Sequence, residues 1–130
     1  MASWWLTYDA NYSVAAEVFE SPGDIYAFPE MRLVPLDPVR SASGDIEALR
    51  SRSGAFVREF RRCYLGGSAI GACAAVVNAS VANVTLSAFP RSYTRALSVD
   101  DRNLFDGGRL SFSDGVPYSL GPGQAAALFQ

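Results

Sequence analysis

Short apolar runs separated by turn-forming residues fill the chain from Phe56 onwards. The residues between the runs are mostly Gly, Asn, Asp and Ser, which tolerate positive φ or close local hydrogen bonds and so favour turns. Within single runs, as from Val84 to Leu86, apolar and polar side chains alternate, so one face of the strand is expected to be buried. This spacing is typical of an antiparallel β-sandwich of the Greek-key type. The predicted strands cover residues 56–65, 70–78, 82–87, 92–98, 109–112 and 125–129.

Residues 1–55 follow a less regular pattern, and we predict that they form an extended, partly irregular segment in front of a sandwich domain at residues 56–130. Residues 4–8 are aromatic and β-prone, which predicts a short buried strand. The apolar spacing of residues 11–19 fits either a helical stripe or an extended strand, and both interpretations stay open. The chain as a whole is predicted to be mainly β.

Prolines shape the rest of the N-terminal segment. Three of them keep residues 28–39 out of any helix, because proline lacks a backbone N–H and clashes with the preceding turn. This stretch is therefore predicted to be an extended connector. A short helix is predicted over residues 45–50, with Ser43 as its N-cap.

Composition narrows the possible functions. The chain of 130 residues contains no His, which removes the commonest general base and metal ligand, so Ser-His-Asp, Cys-His and zinc chemistry are excluded by inventory. We predict no metal and no cofactor. A formal net charge of −2 argues against nucleic acid as a partner, because such binding relies on patches of excess positive charge.

No run of about 20 apolar residues is present, so no membrane-spanning helix is predicted. The first residues also lack a basic stretch followed by an apolar core, so no signal peptide is predicted. Met1 opens directly on what is predicted to be a structural segment, and we therefore expect a fragment of a longer protein.

Cys63 and Cys73 flank a glycine-containing stretch centred on Ser68. A hairpin centred there would place the two cysteines opposite each other on paired strands, and we predict a disulfide between them. The alternative is a pair of buried free thiols, since Cys packs well as a small apolar residue. A disulfide would imply an oxidising compartment, extracellular or periplasmic.

Three Asn residues, Asn11, Asn78 and Asn83, begin sequences that match the N-glycosylation pattern. That pattern often arises by chance. For Asn78 and Asn83 we predict turn and strand roles instead.

Carboxylates are the groups left for acid–base chemistry, and glycoside hydrolysis uses a pair of them. Asp9 stands out because it follows an aromatic stretch at the end of a predicted strand, where parallel-barrel enzymes place functional groups and aromatic side chains can stack on sugars. Trp5, Tyr8 and Asp9 are therefore the candidate substrate-binding residues, and no catalytic residue is predicted. The other carboxylates considered are Glu17, Glu20, Glu30 and Glu59.

A basic cluster of Arg58, Arg61 and Arg62 surrounds Glu59. Strand alternation places Arg58 and Arg62 on one face and Arg61 on the other. We predict a solvated strand with a cross-strand pair to a carboxylate. An anion-binding site is the alternative.

Six motifs follow one another from residue 56 to residue 129: FVREF, AAVVNAS, VTL, YTRAL, FDGGRLS and YSLGPGQAAALF. In this succession the chain resembles the C-terminal β-sandwich of many glycoside hydrolases, in which a strand ending in VVN precedes a sandwich that closes with an LPP.SAAIL-like strand. The closing motif here, LGPG, departs from that pattern by one Gly in a turn. The part from Trp5 to Glu30 resembles the last strand and loop of a glycoside-hydrolase-like (β/α) barrel, with the linker into its sandwich.

The resemblance implies a non-catalytic portion of a glycoside-hydrolase-like protein, whose sandwich packs against and stabilises a carbohydrate-active barrel domain. The catalytic carboxylates of the family lie on earlier barrel strands, so none is carried over to this chain. Without their barrel neighbours, Trp4, Trp5 and Tyr8 are expected to form an exposed aromatic patch or to drive self-association.

Two other functions are weighed against this one. A free-standing carbohydrate-binding or cell-surface interaction module would need a row of exposed aromatics, for which Tyr64, Tyr93 and Tyr118 are the candidates. A small carboxylate enzyme would need two acidic groups within roughly 5–10 Å of each other in a cleft.

Overall fold

A computed structural model describes Leu6 and residues 33–40, 45–86, 93–97 and 112–130. Within these residues the chain is mainly β and all strand pairs are antiparallel, which confirms the predicted fold class. The strands are β1 (Leu33–Pro38), β2 (Phe56–Leu65), β3 (Ser68–Val77), β4 (Val84–Thr85), β5 (Arg95–Leu97), β6 (Phe112–Asp114), β7 (Ser119–Leu120) and β8 (Ala125–Phe129).

The described strands form two sheets. Six of them lie in the order β1-β2-β3-β8-β5-β6, and β4 pairs with β7 in a separate two-stranded sheet. Strand β8 lies between β3 and β5, so the end of the chain fills the middle of the larger sheet. The predicted bounds of β2 and β8 are confirmed.

Strand β1 lies in the stretch that was predicted to be an extended connector, yet it pairs along its length with β2. It contains Pro35 and Pro38, and proline is tolerated in a sheet at an edge, where its missing N–H does not interrupt a ladder. The larger sheet therefore includes residues that precede Phe56. The division of the chain at residues 55 and 56 stays a prediction.

Two glycines make the hairpin between β2 and β3. Gly66 and Gly67 have φ of 56° and 87°, a left-handed conformation that glycine adopts without steric cost. A two-residue turn of this kind matches the twist of the flanking strands. The result is the pairing of Leu65 with Ser68 and the longest hairpin of the fold's described part.

The central strands of the larger sheet are buried on both faces. On one face, side chains of β2, β3 and β8 form an apolar cluster that also includes Leu6 and Leu49, which come from outside the sheet. We call this the Arg58 face, because Arg58 lies between Phe56 and Phe60 on the same side of β2. The cluster members from the sheet are Leu33, Phe56, Phe60, Cys63, Cys73, Ala75, Leu97, Ala127 and Phe129.

The opposite face, which we call the Val76 face, packs against the two-stranded sheet. Val84 of β4 and Leu120 of β7 are buried in the same apolar cluster as Val76 of β3 and Leu128 of β8. Most other members of this face are alanines, whose short side chains let a second layer approach closely. The sheet members are completed by Ala74, Ala96 and Ala126.

Two local predictions in the N-terminal segment need correction. The short helix is a 3₁₀ turn at Ile46–Leu49, and its cap is Asp45 in place of Ser43: the Asp45 carboxylate accepts a hydrogen bond of 2.8 Å from the backbone N–H of Glu47. Leu6 is helical, so the strand predicted for residues 4–8 is wrong at this position.

Candidate functional site

The candidate substrate-binding residues Trp5, Tyr8 and Asp9 lie outside the described residues, as do the carboxylates Glu17, Glu20 and Glu30. Their immediate neighbour Leu6 is described. Its side chain is only 3% exposed and packs in the cluster of the Arg58 face. Leu6, which lies between the candidate residues Trp5 and Tyr8 in the sequence, therefore packs against the sheet.

Arg58 ties Leu6 to the sheet. Its side chain is 3% exposed, and its Nη1 donates a hydrogen bond of 3.0 Å to the backbone carbonyl of Leu6, 52 residues away. The guanidinium carbon also lies 5.2 Å from the centre of the Phe60 ring. Since a guanidinium keeps its charge when buried, acceptors and aromatic faces of this kind are what stabilise it. The solvated role predicted for Arg58 is wrong.

Arg62 makes the cross-strand pair that was predicted for the basic cluster. Its Nε donates a hydrogen bond of 2.5 Å to Oδ2 of Asp37 on β1. This hydrogen bond is the main reason why the pKa of Asp37 lies below its usual value. Arg62 and Arg61 are both exposed, and they sit where a bulge in β2 interrupts the alternation that was predicted to separate them.

Cys63 and Cys73 are free thiols with no exposed surface, so the predicted disulfide is not formed in the structure. The arrangement is the alternative, a pair of buried thiols. The neighbouring Cys63 thiol, together with burial, raises the pKa of the Cys73 thiol. The extracellular or periplasmic location, which depended on the disulfide, stays a prediction.

The register of the hairpin explains why the two cysteines are not opposite each other. The chain turns on the two glycines that precede Ser68, so Cys73 pairs with Phe60. The bulge on β2 then places Cys63 opposite Gly71, two residues from Cys73. The thiols consequently lie on one face as diagonal neighbours.

The aromatic row required by a carbohydrate-binding surface is not formed by its candidates. Tyr93 is 8% exposed, and its hydroxyl donates a hydrogen bond of 2.8 Å to Oε1 of Glu59. Tyr64 is half-buried. Tyr118 alone of these three is open to solvent, at 80% exposure.

The two glycosylation-like sequences that lie within the described residues differ in the burial of their asparagines. Asn78 is fully buried, its Oδ1 accepts from the backbone and hydroxyl of Ser80, and its Nδ2 lies 2.8–3.0 Å from three backbone carbonyls. This confirms the turn role predicted for it. Asn83 is exposed and lies directly before β4, so the strand role predicted for it is wrong at this position. The three carbonyls belong to Ala82, Leu120 and Gly121.

Among the residues that the structure describes, no group of three or more His, Cys, Asp or Glu side chains converges on a possible metal site. No helix in the described ranges has the length and apolar character needed to cross a bilayer. The most developed feature of this part of the chain is the Arg58 face, against which Leu6 packs from 52 positions earlier in the sequence.

Comparisons with protein families, with curated proteins and with solved structures found no match to this chain.

Proposed function

We propose that this chain is the non-catalytic, C-terminal β-sandwich portion of a glycoside-hydrolase-like protein, and that it packs against and stabilises a carbohydrate-active domain. The sequence motifs support the kind of parent protein. The packing of the described residues supports the mode of action. The partner is then the catalytic barrel domain of the parent or, for the second candidate below, a carbohydrate, and in neither case nucleic acid.

The observation that carries the proposal is the bond from Arg58 to Leu6. Leu6 belongs to the part that resembles the end of a barrel, whereas Arg58 belongs to the part that resembles the sandwich. Their contact thus joins the two parts in the way that an accessory sandwich holds its barrel. A hydrogen bond with a charged donor contributes about 2 kcal/mol, and the buried Leu6 side chain adds apolar contact.

A second candidate, a carbohydrate-binding module, is favoured by one feature. Tyr118 is exposed beside the polar, exposed side chains of Thr85 and Ser119 on the two-stranded sheet. A tyrosine ring of this kind can stack on a sugar. Sugar-binding surfaces gain affinity from several such rings, and the other two candidate tyrosines are not open to solvent to the same extent. The accessory role is therefore preferred.

The test starts from the reading frame that precedes the Met1 codon. We expect it to encode a barrel in frame, and we expect the melting temperature of that barrel to fall by several degrees when the sandwich part, residues 56–130, is deleted. Arg58→Met in the joined protein should reproduce part of the loss, because the bond to Leu6 is removed. Arg61→Met, an exposed arginine on the same strand, is the matched control and should leave the melting temperature unchanged.

A frame without a barrel, or a barrel whose melting temperature does not depend on residues 56–130, would contradict the proposal. Affinity electrophoresis of the chain in gels that contain soluble polysaccharides tests the second candidate. Retardation that Tyr118→Ala abolishes and Val81→Ala preserves would establish carbohydrate binding instead.

A further inference from the structure

Two thiols lie near each other inside the most extensive strand pair of the described fold. Cys63 on β2 and Cys73 on β3 have no exposed surface and belong to the same apolar cluster. They are separate thiols in the structure, and the strand register makes them diagonal neighbours. Neither takes part in the contact between Arg58 and Leu6, so any role of the pair is independent of the proposed function.

The register places the Cα atoms of the two cysteines only slightly too far apart for a disulfide. Diagonal neighbours in an antiparallel pair have Cα atoms about 7–8 Å apart, whereas a disulfide joins Cα atoms about 4.4–6.8 Å apart. Closure therefore needs a local approach of the two strands of about 1–2 Å. It does not need a change of partner strand.

The ladder is irregular at the place where this movement is required. An extra residue of β2 lies between Phe60 and Cys63, and a second irregularity follows between Cys63 and Tyr64. On β3 the residue opposite Cys63 is Gly71, with φ of 94°. Bulges interrupt the ladder hydrogen bonds and bend the strand, so a small shift is absorbed here at less cost than in a regular ladder.

We propose that Cys63 and Cys73 form a redox-responsive pair, which closes to a cross-strand disulfide by exchange with a small disulfide such as oxidised glutathione. One protein thiol, deprotonated, attacks a sulfur of glutathione disulfide, and the first reduced glutathione leaves. The other protein thiol then attacks the mixed disulfide and releases the second. Two protons and two electrons pass from the protein thiols to the two glutathione molecules, and one S–S bond replaces another.

Burial makes this exchange depend on local opening of the hairpin. Small disulfides do not reach a thiol without exposed surface, and the thiolate that must attack is disfavoured at Cys73, whose pKa is raised. The hairpin end is the part that has to open, because its turn and bulges are the least regular part of β2 and β3. The closed pair would also strain the bulge that carries Arg62, and so the ion pair between Arg62 and Asp37 of β1.

In the first experiment, the reduced, folded chain is incubated with oxidised glutathione, and the remaining thiols are alkylated after denaturation. The mass of the intact protein is then measured by mass spectrometry. The expected product is a monomer that has lost two hydrogen atoms and takes up no alkylating agent, with an unchanged far-UV circular dichroism spectrum. Cys63→Ser and Cys73→Ser should each abolish it. A chain that stays reduced while the urea-unfolded chain is oxidised, or that yields glutathione adducts or linked dimers alone, overturns the proposal.

A second experiment separates local closure from unfolding of the whole chain. Gly71 and Gly54 both have φ of 94°, and an added Cβ meets nothing closer than 3.5 Å at Gly71 and nothing within 4 Å at Gly54. Alanine therefore introduces similar backbone strain at both positions. Gly71→Ala should accelerate disulfide formation severalfold and Gly54→Ala should not. An equal effect of the two variants, or no effect of Gly71→Ala, overturns the local mechanism.

Discussion

The two faces of the six-stranded sheet are covered in different ways. The Val76 face is covered by β4 and β7, which adjoin β3 and β8 in the chain and lie in space against those same strands. The Arg58 face is covered by Leu49 and by Leu6, and Leu6 is held by a residue 52 positions away. On the Val76 face, short loops join β3 to β4 and β7 to β8. On the Arg58 face, the contact of Leu6 closes a loop of about 50 residues, which costs more chain entropy.

The side chains on the two faces match this difference. Alanines dominate the Val76 face, so the second sheet packs closely against a flat surface. The Arg58 face carries three buried phenylalanines, two thiols and a buried guanidinium. The Arg58 face therefore combines large apolar side chains and one buried charge with a cover that comes in part from far along the chain. The three aromatic residues are Phe56, Phe60 and Phe129.

The largest expected effect concerns the covering of the Val76 face. Asn78→Ala should lower the free energy of unfolding by about 3 kcal/mol, because it leaves buried carbonyls near Leu120 without their donor and opens a cavity at a fully buried position. Urea unfolding followed by tryptophan fluorescence and circular dichroism measures it. Asn83→Ala, at an exposed asparagine five residues further on, is the control and should change the value by less than about 0.5 kcal/mol. Equal effects of the two variants would show that Asn78 does not hold the loop and β7 together.

An intermediate effect is expected on the Arg58 face. Leu6→Ala should lower the free energy of unfolding by about 2 kcal/mol, because a buried side chain is shortened at the edge of a cluster. In the Leu6→Ala variant, hydrogen exchange should be accelerated more in β2 than in the β4–β7 pair, since the two faces are covered independently. Val81→Ala, which changes a side chain that is 97% exposed, should have almost no effect. Uniform acceleration over both sheets would remove the distinction between the faces.

The smallest expected effect lies at the edge of the sheet. Asp37 has φ of 55°, which asparagine also tolerates, so Asp37→Asn removes the charge and keeps the backbone. The pKa of Asp37 is lower in the folded chain than in the unfolded chain, so its contribution is present above the unfolded pKa and is lost as pH falls through the folded pKa. Wild type should exceed the variant slightly in urea midpoint near about pH 7, and the two should converge in acid once Asp37 is protonated in the folded chain. Because the pair is exposed, added salt should also reduce the difference.

Some elements of the fold could be predicted from local pattern alone. Turn residues bound both β2 and β8, and the limits of the two strands follow from that pattern. Strand β1 was missed because its prolines indicate a connector, and whether such a stretch pairs depends on a distant edge. The bulge in β2 has no signal in the sequence, although it decides how Cys63 and Cys73 meet.

The burial of Arg58 did have a signal in the sequence. Phe56 and Phe60 lie two residues to either side of it, so strand alternation places all three side chains on one apolar face. The positive charge of Arg58 favours exposure to solvent, and the predicted solvated role rests on that charge. What overrides it is a backbone carbonyl supplied by Leu6, and no local pattern indicates that a segment 52 residues away lies against this strand.

A double-mutant cycle tests most directly the claim that the Arg58 face binds the preceding part of the chain. Leu6→Ala and Arg58→Met are made singly and together, and the free energy of unfolding is measured for all four proteins. Leu6→Ala keeps the backbone carbonyl that accepts the hydrogen bond, so the cycle reports whether Arg58 holds the Leu6 side chain in its buried position. We then expect Leu6→Ala to cost about 1 kcal/mol less once Arg58 is replaced, while the matched cycle of Leu6→Ala with Arg61→Met should be additive to within about 0.5 kcal/mol. Additivity in both cycles would show that Arg58 does not hold Leu6 on the sheet, and would contradict the account.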